Sequence, residues 1–159
     1  VNGKGTVDEA MGSEKTTWEE AKADILGLFM VSSLIDMGEI TDITKEESIA
    51  TFIAGIVRSV RFGFASSHGK ANMMCYNYME KNGAFSRNEE GKWVIDFEKA
   101  AECINSWANL IIETQATGNV EFAKAYSAEN ASIGEALAAD IEKINGAGIP
   151  RDIVFDFAW

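Results

Sequence analysis

The chain has 159 residues, of which 47% are hydrophobic, and this length and composition suit one domain or one large lobe around a single core. Acidic residues outnumber basic ones by 25 to 14, which gives a net charge of −11. Phosphate groups would be repelled by this negative charge, so nucleic acid is not an expected partner. No apolar run is long enough to cross a membrane and the start, VNGKGTVDEAMGSEK, has no signal-peptide pattern, so no membrane partner is expected.

The two ends of the chain differ in composition from its middle. Residues 1–16 lack an initial methionine and are rich in Gly, Ser and Thr, which predicts a flexible loop left from an upstream region. Residues 147–159 contain Pro150 and the segment IVFDFAW, which predicts a strand-like tail. The two cysteines, Cys75 and Cys103, match no metal-binding spacing and are expected to be buried reduced thiols, which fits a cytoplasmic location.

Residues 17–146 carry helical patterns in their first half. Apolar residues at helical spacing predict a first helix over Thr17–Met37, and this helix is apolar nearly all round in its middle, which predicts burial on several sides. Thr44 and Glu47 form a capping-box pattern before a second helix. A third helix is predicted over Ser67–Lys81 and is ended by a following glycine.

The second half of this region predicts a hairpin and more helices. The segment AFSRNEEGKWVIDF has two short β-prone runs around a polar turn. Asp96 is placed to cap a long helix, and two shorter helices follow, beginning near Asn119 and near Ser132, where Ser132 and Glu135 repeat the capping-box pattern. The predicted fold class is mainly α, a multi-helical lobe with a small β-hairpin and a C-terminal strand.

Acidic residues at the start of the first helix are the first candidates for chemistry. Glu20 and Asp24 are four residues apart and therefore share one helix face, while Glu19 lies one residue round. Carboxylates beside a largely apolar helix need donors, water or a cation, and a zinc ion would supply one. The alternative is an ordinary solvated helix start, where the macrodipole favours negative charge.

His68, the only histidine, stands in SSHGK at the predicted start of the third helix. There it can serve either as an exposed or capping residue or as a donor that lines a site. One histidine cannot complete a zinc site, and the chain has no cysteine pair at ligand spacing, so any metal would need ligands from elsewhere.

Two segments resemble a known family. WEEAKADILGLF is similar to the second zinc motif of the dipeptidyl peptidase III metallopeptidases, a Glu-Glu-x-Arg-Ala-Glu type sequence in which Lys22 and Asp24 are conservative replacements. SSHGKANMMCYNYMEKNGAF resembles the family's later helix, which begins with a functional histidine. The resemblance continues weakly through the helix after Asp96 and the stretch ATGNVEFAKAY, so it covers most of the chain.

The resemblance implies roles for particular residues. Zinc in this family is held by two histidines of an H-E-x-x-G-H type motif, absent from this chain, and by the glutamate that corresponds to Glu20. Asp24, and less directly Glu19, would accept a hydrogen bond that orients a histidine ligand. His68 would donate to the oxyanion that forms on the scissile carbonyl. Asn72 stands where some members carry an arginine, so a substrate contact of that arginine does not carry over.

The resemblance therefore implies the C-terminal part of a zinc-dependent exopeptidase that releases dipeptides from the N-termini of peptides. Its partners would be the peptide substrate and the remainder of the parent enzyme, which would supply the missing zinc ligands and general base. The isolated chain is expected to be inactive. The alternatives are a non-catalytic helical interaction module and a degenerate peptidase homologue.

Overall fold

The structure is a computed structural model that describes Val1, Gly3, residues 5–153 and Phe155. It is mainly helical, as the sequence predicts. A single turn of 3-10 helix at Gly12–Glu14 leads into the second helix. The helices are α1 (Val7–Met11), α2 (Lys15–Asp36), α3 (Lys45–Val60), α4 (Ser67–Lys81), α5 (Phe97–Thr117), α6 (Val120–Asn130) and α7 (Glu135–Gly146), and the strands are β1 (Phe85–Arg87) and β2 (Trp93–Ile95).

The core lies where α2 packs against α4 and α5. Trp18 of α2 is fully buried, and its ring lies 6.2 Å from that of Trp107 on α5 and 5.9 Å from that of Tyr126 on α6. The Trp18 indole N–H donates to Ser127 Oγ at 3.2 Å. The Trp18 ring is thereby buried without an unpaired donor, whereas the Trp107 indole N–H is buried with no hydrogen-bond partner among the described residues. The aromatic cluster thus fixes where the first turns of α2 sit.

The predicted hairpin is confirmed as an antiparallel pair in which Phe85 lies opposite Ile95 and Arg87 opposite Trp93. It is tied to α7 through Asp140, which pairs with Arg87 and accepts from the Trp93 indole N–H at 2.9 Å. The Arg87 guanidinium also lies 4.6 Å from the Trp93 ring centre. The hairpin therefore joins the helical layers through a half-buried polar contact as well as through its aromatic face.

Most helix boundaries follow the capping signals. Thr44 and Glu47 form both hydrogen bonds of the predicted capping box, and the side chains of Asp96 and Asn119 accept from the backbone of the turns they precede. The capping box predicted from Ser132 and Glu135 is wrong. Gly134 is the N-cap residue of α7 and supplies no side-chain hydrogen bond. The helix thus begins two residues later than the predicted box requires, and Glu135 is its first residue instead of its third.

The start of the chain differs from the predicted flexible loop over 1–16. Thr6 and Glu9 make a complete capping box, and α1 follows with Ala10 and Met11 buried. The sequence did not predict this short helix, because the glycines on both sides of it indicated a loop. Of the described residues in this stretch, only those before α1 lie outside helices.

The middle of α2 is less buried than its apolar sequence predicts. Ile25 is buried, but Phe29 is 41% exposed and Met30 is 60% exposed. On α5, Ile112 is likewise 44% exposed. The neighbouring helices of this chain cover α2 on the side that faces α4 and α5, so large apolar side chains remain open on the other.

At the other end, residues 147–153 form turns and irregular structure rather than a strand, and most of the predicted strand, Val154 and residues 156–159, lies outside the described residues. Both cysteines are free and buried, as expected. Among the described residues, no helix is both long and apolar enough to span a bilayer.

Candidate functional site

Helix α2 presents Glu20 and Asp24 one turn apart, on the side that packs against α4. The two carboxylates are partly open to solvent, with side-chain exposures of 37% and 33%. Their neighbours Trp18 and Ala21 are buried in the core and fix the rotation of the helix about its axis. The face predicted from the four-residue spacing is therefore present, at the rim of the core rather than inside it.

The start of α4 places His68 beside that face. Ser66 is the N-cap residue, and its hydroxyl accepts from the Gly69 backbone N–H at 3.1 Å. Gly69 is buried, and a Cβ on it would lie 2.5 Å from the Gly63 carbonyl oxygen and 2.6 Å from Phe64 Cα. Only glycine allows the preceding loop to lie this close to the helix, so the SSHG sequence determines where the imidazole sits.

The structure brings Glu20, Asp24 and His68 together. His68 Nδ1 lies 2.8 Å from Glu20 Oε2, and His68 Nε2 lies 3.8 Å from Asp24 Oδ2. Burial raises the pKa of the Asp24 carboxyl above its ordinary value, Glu20 adds to this, and the charge of His68 opposes it. An imidazole between two carboxylates can be held in one orientation and can exchange a proton with a neighbouring group.

Glu19 lies on the other flank of α2. Its Oε1 accepts from the Gln115 side-chain amide of α5 and from Lys22 Nζ, both at 2.8 Å. These contacts tie two helices together. The structure therefore does not bring Glu19 to the Glu20–Asp24–His68 cluster.

A concavity of about 610 Å³ opens beside Asp24 between α2 and α3. Sequence reasoning missed it, because its walls come from two helices and the loop before the second. Most of its lining is apolar, and two acids, Asp24 and Glu47, add polar groups, a combination that is typical of ligand pockets. It is lined by Ala23, Asp24, Gly27, Leu28, Val31, Ile43, Glu47, Ser48, Thr51 and Phe52.

Asn72, one turn after His68, has a structural partner. It is buried, and its side-chain N–H donates to Ser59 Oγ on α3 at 2.7 Å. It therefore joins α4 to α3 and does not take over a substrate contact. The Arg61 guanidinium likewise has partners within the fold, because it donates to the backbone carbonyls of Ile149 and Pro150.

The described residues do not form a complete metal site. They contain no group of three His, Cys, Asp or Glu side chains placed to hold an ion. Glu20 offers a carboxylate at the solvent edge of α2, which suits one ligand of a site whose other ligands come from outside this chain. The donor set present is thus compatible with a single ligand position for zinc and no more.

Comparisons with known proteins find solved structures that are similar to this chain as a whole. The structure of DPP III from Caldithrix abyssi matches 92% of this chain with a TM-score of 0.86 and 28% sequence identity. The structure of dipeptidyl-peptidase III from Corallococcus sp. strain EGB matches 93% of it with a TM-score of 0.86 and 29% identity. This chain resembles dipeptidyl peptidase III over most of its length. It spans 28% and 27% of those two chains, respectively.

A protein with a different name is also similar to this chain in sequence. Nudix hydrolase 3 of Arabidopsis thaliana is 31% identical over 148 residues, which is 93% of this chain and 19% of that protein. The name refers to the whole protein, of which this chain matches only about a fifth. The name therefore does not assign an activity to this chain. No family model matches the chain.

Proposed function

We propose that this chain is the C-terminal part of the catalytic lobe of a zinc-dependent exopeptidase that releases dipeptides from peptide N-termini. The single observation that carries the proposal is the Glu20–Asp24–His68 cluster, in which the two family-like motifs meet in space with Nδ1 of His68 2.8 Å from Glu20. This supports a shared site, because the motifs are nearly fifty residues apart in sequence.

Each residue of the cluster has a distinct part in the proposal. Glu20 is the zinc ligand that this chain supplies, and Asp24 orients an imidazole. When bound, zinc would polarise the scissile carbonyl and lower the pKa of a water molecule. His68 would donate a hydrogen bond to the negative charge that develops on the carbonyl oxygen. The remaining ligands and the general base belong to the remainder of the parent enzyme.

The open side of α2 also supports a larger parent. Phe29 and Met30 are large apolar side chains on an exposed helix surface, and such patches mark contact surfaces. In the proposal the remainder of the enzyme covers them. The free thiols of Cys75 and Cys103 are in keeping with the reducing cytoplasm that we propose for it.

Two other functions remain candidates. In a non-catalytic interaction module the same apolar surface would bind a partner, and the Glu20–His68 contact would be a surface ion pair of little energetic weight. In a degenerate homologue the cluster would persist without the general base. Both alternatives predict that the cluster can be removed without loss of any metal-dependent activity.

The first test compares adjacent glutamates in the full-length parent. Glu20→Gln should strip most of the zinc, because the amide is a poor ligand, whereas Glu19→Gln should retain it, since Glu19 contacts α5 instead. Zinc is measured by elemental analysis after dialysis, with circular dichroism to check folding. Equal zinc in Glu20→Gln and wild type would remove Glu20 from the site.

The second test addresses His68 in the same parent enzyme. His68→Ala should lower kcat by roughly a hundredfold to a thousandfold with zinc retained, because one preorganised oxyanion donor is lost. Turnover is measured on dipeptidyl-naphthylamide substrates. Loss of zinc would show that His68 supports the metal site, either as a ligand or by orienting Glu20. Unfolding would show that its role is structural, and unchanged turnover would remove it from catalysis.

A further inference from the structure

A second concavity, of about 530 Å³, lies along the C-terminal half of α3 and shares no lining residue with the concavity beside Asp24. Its walls come from α3, the hairpin and α7, together with the chain after α7, and none of its lining residues belongs to the Glu20–Asp24–His68 cluster. A volume of this size accommodates a small organic ligand. The lining is Ala54, Val57, Arg58, Arg61, Trp93, Asp140, Lys143, Ile144 and Ile149.

Three cations line this concavity although the chain as a whole carries a charge of −11. Arg58 comes from the last turn of α3, Arg61 is the C-cap residue that follows it, and Lys143 comes from α7. Among the described lining residues Asp140 is the only acid, and it is already paired with Arg87 and accepts from the Trp93 indole N–H. A local excess of positive charge therefore faces an apolar pocket.

One of the three cations is held by hydrogen bonds within the fold, and the side chains of the other two are largely exposed to solvent. Arg61 is used by the fold, since it donates to Asn145 Oδ1 at 3.1 Å and to the Ile149 carbonyl at 2.7 Å and so holds the last wall in place. Arg58 and Lys143 have loose partners, at 3.5 Å from Asp152 and 3.6 Å from Asp140. Their side chains are 59% and 78% exposed, so an anion at the pocket mouth can reach both.

We propose that this concavity is a binding site for a small amphipathic carboxylate, with its aliphatic or aromatic body against Val57, Trp93 and Ile144 and its carboxylate between Arg58 and Lys143. The apolar walls select the body, and a guanidinium favours a planar carboxylate because it can donate two parallel hydrogen bonds. The site is independent of the proposed peptidase chemistry.

The experiment uses octanoate as the probe and the Trp93 indole N–H as the reporter. In ¹⁵N-labelled protein, octanoate should shift this resonance in a saturable way, and the assignment is made with Trp93→Phe. Octanamide, which has the same body without the charge, should bind at least tenfold more weakly. Shortening the probe to hexanoate should weaken binding by up to about fourfold for each methylene removed.

Matched variants separate the pocket from general charge and size effects. The double variant Arg58→Gln, Lys143→Gln should weaken octanoate binding by about tenfold or more, whereas Lys124→Gln on α6 should leave it unchanged. Ala54→Trp fills the pocket from an exposed helix position and should abolish binding, whereas Ala125→Trp, also on an exposed helix face, should not. Circular dichroism confirms that each variant is folded.

Several outcomes would overturn the proposal. Absence of a saturable shift with octanoate, equal binding of octanamide, or full binding by the folded Ala54→Trp variant would each overturn the assignment of this concavity as a carboxylate-selective site. If Lys124→Gln weakens binding as much as the double variant, the effect is general electrostatics and the assignment to this pocket is wrong.

Discussion

Gly69 is the position where a single methyl group should disturb the candidate site most directly. In Gly69→Ala the new Cβ would lie 2.5 Å from the Gly63 carbonyl oxygen, whereas ordinary contact begins at 3.4 Å. The loop before α4 must therefore move by roughly 1 Å, and the obstacle is backbone rather than a flexible side chain. Because His68 precedes Gly69, this movement also shifts the imidazole relative to Glu20.

The magnitude follows from two opposed effects. Overpacking against backbone costs roughly 1–3 kcal/mol. Alanine in place of glycine in a helix returns about 0.5–1 kcal/mol. We therefore expect Gly69→Ala to lose about 0–2.5 kcal/mol of unfolding free energy. Gly55→Ala on α3 is the matched control, because nothing lies within 4 Å of its Cβ position, and it should gain about 0.5–1 kcal/mol.

Urea unfolding followed by circular dichroism measures both variants on the 159-residue chain. The informative quantity is the difference between the two alanines, which share the same chemical change and differ in the space around them. If Gly69→Ala is as stable as Gly55→Ala, the loop does not lie against α4, and the placement of His68 argued from that contact is wrong.

The remaining predictions concern stability. Thr44→Ala should cost about 1 kcal/mol in urea unfolding because it removes a capping hydrogen bond, whereas Ser132→Ala should change little, since α7 is not capped by that side chain. Asp140 is a second case: burial tends to raise its pKa, but the Trp93 hydrogen bond and the charge of Arg87 outweigh this and lower it below the ordinary 3.8. The stability it contributes is complete above that value and is lost as the pH falls through the lower folded pKa. Asp140→Asn should therefore flatten the fall in stability below about pH 4, and Asp42→Asn, at an exposed position, should not.

Local signals in the sequence were sufficient for most of the fold. Capping residues such as Thr44, Asp96 and Asn119 act within a single turn, so their positions predict helix starts without knowledge of the rest of the molecule. The same reasoning failed at Ser132, because whether a serine caps a helix depends on backbone angles one or two residues later. There the chain enters α7 through Gly134 instead.

Burial was less predictable than helix position. The apolar surround of α2 indicated neighbours on several sides, yet Phe29 and Met30 are open in this chain. Apolar periodicity reports which surfaces require cover but does not identify the segment that provides it. The sequence therefore indicated apolar surface on several sides of α2, but the helices within the described residues leave part of that surface exposed.

The relation between Glu20 and His68 depends on the geometry of two packed helices, which no spacing in the sequence contains. The four-residue interval places Glu20 and Asp24 on one face of α2, but which helix lies opposite is decided by Trp18, whose burial sets the rotation of α2. On α4 the position of the helix start depends on Gly69, because the absence of a side chain there allows the preceding loop to pack against the helix. The resemblance to a family implied a zinc ligand at Glu20 and an oxyanion donor at His68, but not a direct contact between the two. The 2.8 Å separation between His68 Nδ1 and Glu20 Oε2 instead makes the two residues a single unit, so a change at either one should alter the orientation of the other.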